Sequence, residues 1–260
     1  MQFNILAVGD ICGTTGIDFL AKTLPRLKRE RDISFCVVNG ENADNRGLTP
    51  ANAEDIFVYG ADVITLGNHS FDKNSIFNFL DDNRYILRPA NVSPSAPGRG
   101  FGIFDSPAGE ICVINLLGRV DMHPLSDNPF FELDRILKRD DVARCRIILV
   151  DFHAEATSEK LAMAYYLDGR VSALWGTHTH VQTSDAEVFP AGMGYITDLG
   201  MTGGVRSVLG IDPKSALELF IGMPKVRHDV APPPAKLEGA IFTVDADTGK
   251  CLAAEAIRIF

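Results

Sequence analysis

Five short segments of this chain each end an apolar run with side chains able to hold a metal. They are Gly9-Asp10, Asn39-Gly40-Glu41-Asn42, Gly67-Asn68-His69, Asp151-Phe152-His153 and Gly176-Thr177-His178-Thr179-His180. Four of the six histidines of the chain fall inside this set. One such strand end is an ordinary turn. Five, all polar in the same way, demand strands that lie side by side and deliver their ends to one rim. In open α/β sheets that rim binds ligands, because strand ends there feed loops into a shared crevice.

The runs between these ends alternate in type. Phe3 to Val8 is short and apolar, as a buried strand is. Leu20, Leu24 and Leu27 then recur at helical spacing behind Thr14 or Thr15 as a cap, and Pro25 predicts a kink or restart. Ser34–Val38 and Asp62–Leu66 read as strands, with helices over Pro50–Tyr59 and through Ile76, Phe77 and Leu80. Such a β-α-β-α-β start implies parallel strands with right-handed crossovers.

The middle is richer in sheet. Gly100–Asp105 and Ile111–Leu117 read as strands around a turn at Ser106–Gly109. Helices are expected near Phe130–Lys138 and over Thr157–Leu167, the latter capped by Thr157 or Ser158. Arg146–Phe152 and Val171–Trp175 are apolar strands that run into the paired histidines. Beyond them come shorter strands, a helix over Pro213–Phe220, and a hairpin over Leu237–Phe260 that turns at Asp245–Lys250. Pro232 to Pro234 stiffens a loop rather than linking domains, and no internal repeat is present. Residues 1–260 therefore read as a single domain, two sheets sharing one core and flanked by helices.

Composition narrows the function. With 46% hydrophobic and 23% charged residues the chain is of ordinary globular type. Its formal net charge of −9 repels polyphosphate backbones, which argues against long nucleic acid as a partner. A small anionic substrate stays open, since bound divalent cations reverse the local field. Cys12, Cys36, Cys112, Cys145 and Cys251 are odd in number and form no C-x-x-C pair, which points to reduced thiols in a cytoplasmic protein. No basic leader precedes the first strand, and no apolar stretch nears the ~20 residues that span a bilayer, so no membrane role is expected. A homo-oligomer stays open.

Taken singly, Asp10 reads as a turn or cap residue and Asn39–Asn42 as a polar loop. Asn68-His69 after a β-branched strand and a glycine is harder to explain structurally. His178 and His180 are the strongest piece: in extended backbone, i and i+2 side chains point the same way, so both imidazoles reach one site. Mixed nitrogen and oxygen ligands suit Fe, Mn or Zn better than Ca or Mg.

The same residues carry a resemblance. The order Asp, acid–Asn, Gly-Asn-His, His, Gly-x-His-x-His is similar to that of the calcineurin-like metallophosphoesterases. More closely, the chain resembles the YmdB-like family through Gly9-Asp10-Ile11, Asn39 to Ala43, Leu66 to His69, Arg88 to Asn91, and Pro97 to Gly100. The match continues through Asp151 to Lys160, Gly176 to Thr183 and Ile196 to Gly203, essentially the whole chain. This resemblance implies a metallophosphoesterase-like four-layer α/β/β/α sandwich with two stacked mixed sheets. It also implies a two-metal phosphodiesterase acting on 2′,3′-cyclic nucleotides, with iron the metal most often used. Carried over by position, Asp10, Glu41, Asn42 and His180 would hold one metal. Glu41, Asn68, His153 and His178 would hold the other, Glu41 bridging, and His69 would be the proton donor.

Two departures from the wider superfamily stand out. The first strand ends Asp10-Ile11-Cys12 rather than Asp-x-His, and Asn42, directly after Glu41, offers a substitute for the lost histidine. Ser70 stands where many members have an acid beside Gly-Asn-His. Cys12 reads as a packing residue before a thiolate ligand.

Chemically, two metals ~3.5–4 Å apart can generate a bound hydroxide at neutral pH and neutralise a phosphate, leaving a proton to be supplied to the departing oxygen. Asp151, Glu155 and Asp198 are candidates to support the histidines from behind. Arg88 and Arg99 are offered to a substrate phosphate, to loop ties or to a subunit contact, and Gly13–Gly16 either to an anion or to a plain loop. His123 and His228 read as surface or loop residues. Asp245–Gly249 reads as a hairpin turn rather than a calcium loop. The alternatives to the phosphodiesterase are a phosphomonoesterase or nucleotidase, and a regulatory protein whose metals are structural.

Overall fold

The computed structural model describes residues 1–260. Its opening alternation is parallel. The strands Gln2–Val8, Ile33–Asn39, Val63–Thr65 and Ile86–Leu87 lie side by side in that sense. The helices Gly13–Glu30, Pro50–Val58 and Phe77–Asp82 fall between them in the chain. On the other flank of Gln2–Val8 runs Ala235–Asp245, antiparallel, paired in turn with Cys251–Ile259 as the expected terminal hairpin. Met201–Gly204 and the two-residue strand Asp10–Ile11 complete this eight-stranded sheet.

The second sheet has six strands. At its centre Ile147–His153 runs parallel to both Gly109–Leu117 and Ala173–Thr177. Its edges, Phe101–Ser106 and Glu187–Val188, are antiparallel to their neighbours.

Three apolar layers hold these sheets. Between them Phe3, Ile5, Phe35, Val113, Leu149 and Trp175 interleave, and the Trp175 and Phe242 rings stack at 5.8 Å. The outer face of the first sheet packs Leu6 and Val8 on Leu20, Leu24 and Ile56 of its helices. The outer face of the second packs Ile114 and Val150 on Leu133, Met163 and Leu167. The architecture is therefore the four-layer α/β/β/α sandwich with two stacked mixed sheets. Strands buried on both faces give unbroken apolar runs rather than alternation, which is why the central strands are so plain in the sequence.

Several local expectations need correction. The helix Gly13–Glu30 continues through Pro25 without a restart. Burial of Leu20, Leu24 and Leu27 on both sides of the proline outweighs its cost of about 3 kcal/mol. Neither threonine caps that helix: Cys12 occupies the cap position, and the Thr15 hydroxyl donates to the Ala231 carbonyl at 2.7 Å. The helix Thr157–Leu167 likewise starts from Ala156 with no side-chain cap. The strand expected at Val171–Trp175 lies at Ala173–Thr177, because Leu149 pairs with Ala173 and Ser172 serves the turn before it. All five cysteines are free and buried. No helix is long and apolar enough to cross a membrane.

A buried ion pair fixes the rim end of the second sheet. Lys160 donates from Nζ to Asp198 Oδ2 at 2.7 Å and to the Thr177 carbonyl at 3.0 Å. Asp198 in turn accepts the N–H groups of Thr179 and Gly200. Removing one partner of such a pair strands a charge, at a cost of about 3–5 kcal/mol. Lys160→Met is therefore expected to lower the unfolding free energy by about that amount in urea titrations. A loss below ~1 kcal/mol would mean the pair does not anchor the turn.

Candidate metal centre

The carboxyl ends of the parallel strands from both sheets meet at one rim. The first sheet brings mainly oxygen there and the second brings nitrogen. Asp10 follows Gln2–Val8, Glu41 and Asn42 follow Ile33–Asn39, and Asn68 follows Val63–Thr65. His153 closes its own strand, while His178 and His180 follow Ala173–Thr177. All seven of these expected ligands come together.

Glu41 stands in the middle. Its Oε1 is 3.0 Å from His153 Nε2 and 3.3 Å from Asn42 Nδ2, and its Oε2 accepts the His69 N–H at 3.1 Å. On one side, Asn68 Oδ1 and His178 Nδ1 lie 3.0 and 3.1 Å from that same His153 Nε2. On the other, His180 Nε2 lies 3.2 Å from Asn42 Nδ2 and 3.6 Å from Asp10 Oδ1. Two donor groups thus share one carboxylate. Donor atoms of Glu41, His153 and His178 fall within 4.8 Å of one another.

The electrostatics are those of a site built for positive charge. Asp10, Glu41 and His153 are completely buried. Burial alone raises a carboxyl, but the His180 and His153 imidazoles and the His178 N–H outweigh it and hold Asp10 well below the usual carboxylate range. Glu41 is lowered too, His153 overcoming its burial. The same contacts work in reverse. Against their burial, His153 is raised by Glu41 and Asp10, and His180 by Cys12 and Asp10. Burial and the neighbouring His153 push His178 down to about 3.

Asp10 Oδ1 is buried without any hydrogen-bond partner. An orphaned carboxylate oxygen beside a second carboxylate, three imidazoles and two amides is a donor set that fits divalent transition metals. Asp10, Glu41, Asn42 and His180 could hold one cation, and Glu41, Asn68, His153 and His178 another. Asn68 already turns its amide oxygen inward. Asn42 turns its nitrogen, and a half-turn of that amide presents oxygen instead.

Each ligand histidine has its outer nitrogen occupied. His153 Nδ1 lies 2.9 Å from Thr177 Oγ1, and that hydroxyl donates to Asp151 Oδ1 at 2.7 Å. With its proton so committed, Thr177 can only accept from His153 Nδ1–H, which leaves the Nε2 lone pair facing the cluster. His178 Nε2 lies 3.2 Å from Glu155 Oε2, and His180 Nδ1 is 3.0 Å from the Leu209 carbonyl. Of the three expected supporting acids, Asp151 acts through Thr177, Glu155 acts directly, and Asp198 acts through the backbone of the turn.

The turn itself differs from expectation. His178 and His180 are not extended but left-handed, with φ of 100° and 62°. Their rings consequently go to different donor groups instead of pointing the same way. Such backbone costs about 1–3 kcal/mol per residue and persists only where surroundings over-determine it. Here the Lys160–Asp198 pair does so. Gly67 is equally constrained, since a Cβ there would come within 2.3 Å of both Glu41 Oε2 and His153 Nε2.

Above the cluster opens a cavity of about 360 Å³ whose walls include His69, Arg46, His228, Leu209 and Val230. His69 Nδ1 lies 3.0 Å from Asp72 Oδ2, with Nε2 3.3 Å from Asn68 Nδ2. Asp72 and Arg46 escaped the sequence reading. Asp72 was visible only as an acid three residues after His69. The Ser70 hydroxyl donates to the Gly67 carbonyl.

His228 and His123 are both loop residues as expected, His123 exposed and His228 half-buried and lining the cavity. Arg88 donates to the carbonyls of Pro89, Ala96 and Pro97, and Arg99 to that of Asp81. Both are loop ties away from the cavity. The N–H groups of Gly13 and Gly16 are taken by the Asn42 and Cys12 carbonyls, in keeping with the plain loop reading. Cys12 Sγ sits 3.5 Å behind His180 Nδ1 and 3.8 Å from Met201 Sδ, a packing position.

Two stacked mixed sheets flanked by helices, with aspartate, glutamate, asparagine and histidine donors meeting at their strand ends, define a metallophosphoesterase. Within that class the chain belongs to the YmdB-like protein family, whose profile matches residues 6–257. It is 43% identical over 257 residues to a 2′,3′-cyclic-nucleotide 2′-phosphodiesterase of Bacillus subtilis, covering 98% of this chain and 97% of that one. A crystal structure described as a novel phosphatase of Mycoplasma pneumoniae superposes with a TM-score of 0.92 at 34% identity, covering 100% and 94% of the two chains. A hypothetical protein of Thermus thermophilus superposes at 0.91 and 33%, covering 99% of each.

Because raised histidines must lose protons to become ligands, metal loading is expected to release protons and to weaken as pH falls. Adding Mn²⁺ to chelator-treated protein in weak buffer with an indicator dye measures this. Uptake of metal with no proton release would contradict the assigned ligands. Gly67→Ala is expected to abolish stoichiometric metal uptake by crowding Glu41 and His153.

Proposed function

We propose that this chain is a phosphodiesterase that opens 2′,3′-cyclic nucleotides or similar small phosphodiesters, with His69 as the proton donor. One observation carries the reading. His69 stands beside the seven-residue donor set without being needed in it, faces the cavity, and is held from behind by Asp72 at 3.0 Å. The name of the Bacillus subtilis relative supports the substrate class.

When bound, two divalent cations supply Lewis acidity toward a phosphoryl oxygen and acidify water. Mixed imidazole and oxygen donors suit iron, manganese or zinc alike, and iron is our choice because the family resemblance implies it. The remaining work falls to the protein. Asp72 accepts from Nδ1–H of His69 and fixes the ring, so that Nε2–H is the proton available to the departing ribose oxygen. Ring opening adds the elements of water: a phosphorus–oxygen bond forms, the ester bond breaks, and His69 delivers a proton to the released alkoxide. Nε2 lies 3.3 Å from Asn68 Nδ2, itself only a donor, so in the protonated ring the Asp72 contact is what fixes the orientation. The five unpaired cysteines support a cytoplasmic setting for this chemistry.

A second reading, phosphomonoesterase, is favoured by the description of the Mycoplasma pneumoniae structure. Comparing 2′,3′-cyclic AMP, 3′,5′-cyclic AMP and AMP separates the two, the first being the expected preference. His69→Ala is expected to lower kcat about 10²–10⁴-fold with metal content retained. Asp72→Asn should lower it about 10–100-fold. Full activity of metal-replete His69→Ala would remove His69 from the reaction.

A further inference from the structure

The cavity runs from a buried floor at Glu41 to an open rim, and Arg46 is the only lysine or arginine that lines it. That arginine is held in place. It sits in a tight turn in which Asn45 and Gly47 are left-handed, with φ of 68° and 88°, and the Asp44 N–H donates to the Gly47 carbonyl at 3.0 Å. Asp44 pairs with Lys73 at 2.6 Å, and Asn45 Nδ2 donates across the mouth to the His228 carbonyl at 2.6 Å. The Arg46 guanidinium meets Asp72 Oδ2 at 3.1 Å and lies 3.3 Å from His69 Nδ1, both through Nη2. Its Nε and Nη1 donors meet no protein acceptor, and the side chain is 60% exposed. A guanidinium fixed at one end and free at the other is set to receive an anion.

The position of that anion follows from His69. Nε2 of its ring faces the cluster and Nδ1 faces Arg46. The scissile phosphate belongs at the cluster and the leaving oxygen at Nε2, so whatever lies beyond the leaving oxygen passes the ring toward Arg46. In a nucleoside 2′,3′-cyclic phosphate, that part is the ribose and its 5′ oxygen. We infer that Arg46 recognises a second phosphate, carried on the 5′ oxygen, and that the preferred substrate is the cyclic-phosphate terminus of an oligoribonucleotide. This rests on the phosphodiesterase reading above.

The charge distribution agrees. Arg46 and His228 line the same mouth of a chain whose net charge is −9, so attraction is confined to the terminal nucleotides while the rest of a long strand is repelled. Such termini arise where a 2′-hydroxyl attacks its own 3′-phosphodiester. The 2′ oxygen bonds to phosphorus, the bond to the 5′ oxygen breaks, and that oxygen takes the proton the hydroxyl loses. The supplying reaction is therefore RNA cleavage by internal transesterification.

Three substrates test the inference on the metal-replete protein: adenosine 2′,3′-cyclic phosphate, its 5′-phosphorylated form, and the dinucleotide ApA ending in a 2′,3′-cyclic phosphate. Wild type is expected to favour both 5′-phosphorylated substrates about tenfold in kcat/KM, mainly through KM, the effect of one charge-assisted hydrogen bond. Added KCl should erode that ratio. Arg46→Ala should bring the ratio close to one, and Arg46→Lys, which keeps a charge without the fork, should retain part of it. Equal kcat/KM on all three substrates in wild type would overturn the inference and leave the phosphodiesterase reading standing. So would an Arg46→Ala protein that loses rate on all three alike, or an Arg46→Lys protein with no ratio beside a wild type that also has none. Hydrolysis of none of the three by wild type would instead overturn the reading on which it rests.

Discussion

A single buried carboxylate, Asp151, is the constraint on which the rest of this molecule turns. It lies between the sheets and accepts from Thr65 Oγ1 at 2.5 Å on the first sheet and from Thr177 Oγ1 at 2.7 Å on the second. Asn39 Nδ2 approaches it at 3.4 Å from the end of a third strand. Burial pushes it up to about 6 against those hydrogen bonds. A group so unfavourably placed is tolerated because it joins three strand ends and sets the proton of Thr177, and through Thr177 the ring of His153. Asn115 does a parallel job nearby, donating to the Leu66 and Leu87 carbonyls and so fixing the segment that carries Asn68 and His69.

Neither sheet owns the site. Asp10, Glu41, Asn42 and Asn68 come from one, and His153, His178 and His180 from the other. Cations held between them would cross-link the sandwich, and the energy of binding them would also be energy of holding the layers together.

Much of this was legible in the residues. Helices Thr157–Leu167 and Pro213–Phe220 fall at the boundaries the sequence indicates, the first because Met163, Ala164 and Leu167 are buried on one face, the second because Asp212 caps it ahead of Pro213. That the candidate donors converge was legible for a different reason: few side chains can hold a metal, and strand ends restrict where they stand. What was not legible depends on distant partners. The left-handed turn at His178 and His180 is set by Lys160, on the preceding helix, and Asp198, just after the strand Gly194–Ile196, and nothing local marks it. Asp72 and Arg46 are polar residues in loops, a setting in which most such residues only meet water. Pro25 shows the converse, a strong local signal overruled by packing.

The order of strands also has a meaning for how the protein is made. The strand Gln2–Val8 occupies the middle of its sheet, paired on one side with Ile33–Asn39 and on the other with Ala235–Asp245, Gln2 opposite Asp245 and Val8 opposite Gly239. During synthesis its first neighbour emerges at once and its second only near the end. Throughout that interval the growing chain carries an open edge of a strand destined for the interior, the kind of edge that recruits foreign strands. The hairpin Ala235–Ile259 is thus the seam that closes this sheet, and a chain cut short before it keeps that central edge unsealed.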